Sequence, residues 1–262
     1  MHPAASHSSQ DSAATLGGIA ERGDIVAIVG AGGKTTTMFA LADALASRGL
    51  RVVTSKSTVI HAPSMSRSPQ LVVSTPAHWR DEIPKAVETN PVITVVTSTP
   101  SKRRFEGIDP ELAPTLLNAS GADVLIVEAD GARRRLLKIP AGHEPAMPRG
   151  TNVVLPVASF SAAGAPLAGR YVHRPELAGP LLGLRPGAIL SASHVVAVVL
   201  HEKAGLKSIP PNAKVWPVLT ATSCISQAEL EHARTTLRNN PRVTGWIEAS
   251  SEWEFTVRRI HF

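Results

Sequence analysis

The chain predicts a three-layer α/β sandwich with a mainly parallel central sheet. Three observations carry that expectation. Short runs rich in Val and Ile alternate with stretches whose apolar residues recur at three-to-four spacing. The first of these runs ends in glycines and leads directly into a helical pattern. The 262 residues are 43% hydrophobic and 18% charged, which suits a sizeable core and excludes a disordered polyelectrolyte.

The first 22 residues are rich in Ser and Ala and lack a charged-then-apolar leader, so they read as a flexible N-terminal tail. Residues 23–262 read as one domain. Asp24-Ile25-Val26-Ala27-Ile28-Val29 is a buried parallel strand, and Gly30-Ala31-Gly32-Gly33 a loop. Met38, Leu41, Ala42 and Leu45 mark one face of a helix that Gly49 stops. With a strand at 51–54 this makes a β-loop-α-β unit with a right-handed crossover. Further strands are expected at 71–74, 92–97, 123–128, 152–157, 214–219 and 243–249. Helices are expected at 76–89, 110–119, 174–182, 193–201 and 227–239. Pro- and Gly-rich stretches at 139–150 and 161–187 form an insertion around 139–187, a lid or small subdomain.

Composition narrows the function classes. The single Cys, Cys224, excludes a disulfide framework and a Cys-based zinc site, and fits a reducing compartment. No apolar run reaches transmembrane length, so the expectation is a cytoplasmic protein with no membrane partner. The net charge of +6 invites anionic ligands, but aromatics are only 4% and no nucleic-acid-binding motif accompanies the charge. Nucleic acid is therefore not the expected partner.

The strongest chemical signal is Gly30-Ala31-Gly32-Gly33-Lys34-Thr35-Thr36-Thr37, between the first strand and the first helix. Backbone N–H groups of such a turn and the helix N-terminus together cradle phosphate. Gly30, Ala31, Gly32, Gly33, Lys34, Thr35 and Thr36 are the candidate nucleotide-binding residues. Lys34 is expected on the β/γ-phosphates and the Thr35 hydroxyl on Mg²⁺. The loop is shorter than the usual phosphate-loop pattern, because Ile28 stands where that pattern has its first Gly. Together these features predict a P-loop NTPase-like domain.

A second signal is the strand 123–128, which ends in Glu128-Ala129-Asp130-Gly131. Spaced two apart, Glu128 and Asp130 share a face if the strand continues. One would hold Mg²⁺, and the other would orient or deprotonate a nucleophile. Lys34, Glu128, Asp130 and His143 are the candidate catalytic residues, and Thr35, Glu128 and Asp130 the candidate metal ligands. Arg133-Arg134-Arg135 and Lys138 either neutralise phosphate charge or form a solvated basic face. His143 and Glu144 are either a proton shuttle and ligand pair or part of a structural turn.

Several segments together resemble one bacterial family. They are the Gly30–Thr37 loop, Val127-Glu128-Ala129-Asp130-Gly131-Ala132, Leu137-Lys138-Ile139-Pro140-Ala141-Gly142-His143-Glu144-Pro145 and Val172-His173-Arg174-Pro175-Glu176-Leu177. Their order and wording are similar to the selenium-dependent hydroxylase accessory proteins. The likeness runs from about 23 to 220, and the Leu137–Pro145 string is its most specific part. It implies a nucleotide-binding maturation factor for selenium-dependent molybdenum hydroxylases, with such a hydroxylase or its maturation machinery as partner; the residues leave open both Mg²⁺-dependent NTP hydrolysis and a scaffold that holds nucleotide without turnover. The turn Thr54-Ser55-Lys56-Ser57-Thr58 departs from the family pattern, and Ser57 and Thr58 are secondary candidates for Mg²⁺ or phosphate. Thr220-Ala221-Thr222-Ser223-Cys224 offers no carboxylate to read a guanine edge, so of ATP and GTP the expectation favours ATP. The short loop and the Glu128-Ala129-Asp130 strand end also resemble Mur-type ATP-dependent amide ligases. That likeness implies activation of a carboxylate as an acyl phosphate, although the chain is short for a three-domain ligase.

Overall fold

The computed structural model describes residues 16–57, 59–61, 70–101, 104–251 and 256–262. The chain divides into two compact units, the first comprising Met1–Ile28, Thr37–Gly131 and Ala146–Val153. The second comprises Val29–Thr36, Ala132–Pro145 and Val154–Phe262.

The first unit is built on the predicted strand-helix alternation. Its strands are β1 (Ile25–Gly30), β2 (Val52–Lys56), β4 (Leu71–Val73), β5 (Val92–Val96) and β8 (Val124–Glu128). They pair in parallel in the order β1-β8-β2-β5-β4. Every residue of β2, β5 and β8 is buried, which is what the Val- and Ile-rich sequences of β5 and β8 require of strands covered on both faces. Helices α2 (Trp79–Thr89) and α3 (Ala113–Ser120) cover one face, against Ile25, Val53, Ile93, Leu125 and Val127. Helix α1 (Lys34–Ala46) follows β1, and Met38, Leu41, Ala42 and Leu45 on its predicted face are all buried. A small antiparallel sheet of β3 (Val59–His61), β7 (Arg104–Glu106) and β6 (Ser98–Ser101) was not predicted. These strands are too short to show a period of their own.

Ordered packing begins earlier than Gly23. Leu16, Ile19 and Ala20 are buried, and Arg22 forms an ion pair with the buried Asp123. The rest of the predicted tail lies outside the described residues.

The second unit carries β10 (Val153–Ser159), β13 (Val218–Thr220) and β14 (Trp246–Ala249) in parallel, and β15 (Val257–His261) antiparallel to β14. The strand expected over 214–219 is split into β12 (Lys214–Val215) and β13, with Pro217 in the break, where no N–H is available for a ladder. Strand β15 was not anticipated, because its Val-Arg-Arg-Ile-His sequence lacks an apolar run. Helices α5 (Ala192–Leu200) and α6 (Gln227–Arg238) bury Val195, Val198, Leu230 and Leu237 in a core shared with Phe160 and Trp246. Capping boxes start both helices, Ser191 with His194 and Ser226 with Glu229.

The Pro- and Gly-rich stretches are packed against this same core. Ile139, Leu167, Val172 and Ala178 are buried in it, and α4 (Pro175–Leu182) lies within the stretch. Strands β9 (Leu137–Lys138) and β11 (Val172–His173) pair in parallel. A mainly parallel α/β architecture is thus what the sequence predicts and what the chain adopts. Among the described residues no helix is long and apolar enough to cross a membrane.

Candidate functional site

The glycine-rich loop is held in shape by its own unit. Gly30, Gly32 and Gly33 have φ of +92°, +80° and +125°. A Cβ on Gly30 would stand 2.3 Å from the Val157 carbonyl oxygen, and one on Gly32 would stand 2.6 Å from Ser159 Cβ. Dihedral angle and space therefore both demand glycine at these two positions. The Ala31 N–H donates to the Val157 carbonyl at 2.9 Å and the Gly32 N–H to the Arg135 carbonyl at 3.0 Å. The Thr220 hydroxyl, at the end of β13, donates to the Gly32 carbonyl at 2.8 Å.

These bonds change the expected roles of Ala31 and Gly32. Their N–H groups are committed within the protein, so the two residues shape the loop rather than donate to a phosphate. From Gly33 the chain enters α1. That helix has 13 residues and no acid in its first turn, so nothing on its own sequence offsets the positive end of its dipole. The Lys34 side chain folds back onto the loop, its ammonium donating to the Gly30 carbonyl at 2.6 Å, and it is buried.

The acidic strand end lies in the first unit. Both Glu128 and Asp130 are buried, at 7% and 2% exposure. In the parallel ladder Ile28 of β1 is opposite Glu128, and the Ala129 N–H donates to the Ile28 carbonyl at 2.9 Å. Glu128 thus closes the strand that neighbours β1 and Asp130 follows it, and the glycine-rich loop begins within two residues of Ile28 along the chain.

Sequence reading missed the partner of Glu128. Lys56 stands opposite it in the β2–β8 register, and its ammonium lies 2.8 Å from Glu128 Oε2. Both side chains are nearly excluded from solvent. Such a pair tolerates burial only while both members are present. The signal was a Lys at the end of the fully buried strand Val52-Val53-Thr54-Ser55-Lys56. Beside it, the buried Ser57 hydroxyl has no hydrogen-bond partner among the described residues, and the Ser57 N–H donates to the Glu128 carbonyl at 3.2 Å. Thr58 lies outside the described residues.

In the second unit, pairing of β9 with β11 brings two sequence motifs together, with Lys138 opposite His173. Lys138 is fully buried and lies 3.2 Å from Glu144 Oε1. Arg174 donates to Glu144 Oε2 at 2.5 Å, and the Ala141 N–H donates to the same oxygen at 3.1 Å. Burial alone would raise the Glu144 pKa. The Ala141 N–H and the Lys138 and Arg174 cations outweigh it and hold the carboxyl at about 2. His173 titrates below the usual imidazole range, through burial first and then the charges of Arg174 and Lys138. Glu144 therefore closes a structural turn, whereas His143 beside it is exposed. Among the described residues no three His, Cys, Asp or Glu side chains converge as a metal cluster. Cys224 is exposed, 3.7 Å from the Ser161 hydroxyl.

A family model described as "YqeC protein" matches residues 26–176. That span contains the glycine-rich loop, the acidic strand end and the Lys138–Glu144–Arg174 cluster. Over 218 residues the chain is 33% identical to the uncharacterized protein YqeC of Escherichia coli (strain K12), covering 81% of this chain and 83% of that one. Among solved structures, the signal recognition particle receptor FtsY from Elizabethkingia anophelis is similar at 14% identity and a TM-score of 0.32. That match covers 94% of this chain, which spans 57% of the receptor chain.

Proposed function

This chain belongs to the YqeC family, and on that premise we propose that it is a nucleotide-binding accessory factor for the maturation of selenium-dependent molybdenum hydroxylases. The observation that carries the nucleotide reading is the Gly30–Lys34 loop. Two of its glycines cannot accept a side chain, its only cation folds over it, and it opens a long helix with no acid in the first turn. A loop so braced keeps its shape without ligand, which lowers the ordering cost of binding.

In this reading the N–H groups entering α1 bind the phosphates, and Lys34 leaves the Gly30 carbonyl to meet the β/γ charge. The Thr35 hydroxyl is a proposed Mg²⁺ ligand. The ion, when bound, supplies charge neutralisation of the phosphates. Glu128 is held by Lys56 and so orients that lysine rather than taking a proton from water. Hydrolysis by this chain alone is correspondingly slow and is accelerated by the hydroxylase client. ATP is favoured over GTP, because Thr220 braces the loop and the turn after it carries no carboxylate.

Calorimetry with ATP and GTP plus Mg²⁺, on the parent and on Lys34→Ala, tests the proposal. ATP should bind at micromolar Kd, and loss of the lysine should weaken it by about 10–100-fold, the worth of a charge-assisted contact. No binding of either nucleotide to the parent would overturn the reading. Release of ADP only when a carboxylate and an amine are supplied would replace the accessory role with a ligase.

A further inference from the structure

Arg133, Arg135, His173 and Arg174 line a cavity of about 300 Å³ in the second unit, and among the described residues Glu176 is the only acid lining it. Neither Arg133 nor Arg135 has a carboxylate partner among the described residues. Arg174 has one, Glu144, which it shares with the buried Lys138. Around this cavity Arg133, Arg135, Arg174 and Lys138 thus outnumber Glu144 and Glu176 by two charges. Guanidinium groups gathered on one concave wall repel one another, and an anion seated between them relieves that repulsion. Planar guanidinium forks also match the oxygens of a phosphate in pairs.

The backbone points the same way. Arg133 and Arg174 have φ of +47° and +64°, and Arg134 between the first two arginines has +58°. Left-handed backbone at a residue other than glycine costs on the order of 1 kcal/mol, and such residues concentrate where binding requires them. His173, pushed toward its neutral form by burial and by Arg174 and Lys138, reports the positive field inside the cavity. The arginine segment also touches the glycine-rich loop through its backbone. The Arg135 carbonyl accepts from the Gly32 N–H at 3.0 Å, and the Leu136 carbonyl accepts from the N–H of Ser159 at the end of β10 at 3.2 Å.

We propose that this cavity is a second anion site, separate from the glycine-rich loop, which takes the phosphate or pyrophosphate group of a small molecule other than the loop's nucleotide. Arg133 and Arg135 grip the anion from one strand-flanking segment and Arg174 from the start of α4. The backbone bond from the Gly32 N–H to the Arg135 carbonyl makes occupancy of one site felt at the other. The site does not depend on the nucleotide reading, because none of its side chains belongs to the loop.

Inorganic pyrophosphate is the probe, titrated calorimetrically into the full chain carrying Lys34→Ala, so that binding at the loop is suppressed. Binding should persist in that protein. It should weaken by about tenfold or more when Arg133→Ala and Arg135→Ala are added, since two bidentate contacts are lost. Arg133 is exposed and Arg135 partly so, so the fold survives their removal, and circular dichroism checks this. Arg170→Ala, which removes a nearby exposed charge lying over Tyr171 rather than lining the cavity, should leave affinity unchanged. Loss of all pyrophosphate binding in Lys34→Ala would mean that the arginines serve the loop's own ligand, and would overturn the proposal. So would equal affinity with and without Arg133 and Arg135, or equal weakening by Arg170→Ala.

Discussion

The hydroxyl of Thr220 donates a 2.8 Å hydrogen bond to the carbonyl of Gly32, joining residues 188 positions apart in the chain. Both groups are buried. The bond fixes the glycine-rich loop to the end of β13, and with it the direction in which the loop enters α1.

Thr220→Val removes that donor while keeping the shape of the side chain, and leaves a buried carbonyl with one bond fewer. Stability should fall by about 1–3 kcal/mol in urea unfolding. The affinity for Mg-ATP should fall with it, and Thr220→Ser should restore both. Unchanged urea midpoint and affinity in Thr220→Val would show that the loop does not rely on this brace.

Gly30→Ala places a methyl group 2.3 Å from the Val157 carbonyl oxygen at a φ of +92°. Strain and overlap should together destabilise the protein by about 2–4 kcal/mol. ATP binding should be abolished even at temperatures where the variant remains folded. Thermal unfolding and calorimetry on the same sample check both outcomes.

Lys56→Met removes a cation 2.8 Å from Glu128 while the carboxylate stays buried. The expected loss is about 3 kcal/mol. Combining it with Glu128→Gln should recover much of that loss, because the buried charge goes too. Additive losses in the double variant, read from denaturation curves, would argue against the pair.

A second buried charge cluster predicts acid sensitivity. Glu248 receives two bonds from Arg234, at 2.7 and 2.6 Å, and one from His261 of β15 at 2.9 Å, whose ring stacks on Trp246. Burial would raise the Glu248 pKa, but the bonds from Arg234 and Trp246 lower it overall. Burial also lowers the pKa of His261. A folded pKa below the unfolded one means stability that is present at higher pH and lost as pH falls. The His261 contribution should therefore fade below about pH 6.5 and the Glu248 contribution below about pH 4.5. Glu248→Gln should lower stability at pH 7 and flatten the acid limb in urea unfolding followed from pH 7.5 to 4.

His143→Ala should leave both the fold and ATP affinity unchanged, since the side chain is exposed in a turn that Glu144 closes. A fall in hydrolysis at constant affinity would assign His143 to proton transfer. A fall in affinity would place it at the nucleotide.

Read as a sequence, this chain already specifies the alternation of strands and helices. It also specifies the glycine loop before α1 and the acids at the end of β8. All of these are local signals, namely unbroken Val and Ile runs, three-to-four spacing, and glycines where only left-handed backbone fits. Tertiary structure decided which of those groups are available for chemistry. Parallel register set Lys56 against Glu128, and pairing of β9 with β11 set Glu144 between Lys138 and Arg174. A long-range bond tied Thr220 to Gly32, and three arginines from two distant segments came to line one cavity. Such relations depend on which strands lie side by side and in what register. Side-chain periodicity along a single strand shows which faces are buried but does not name the strand that lies beside it.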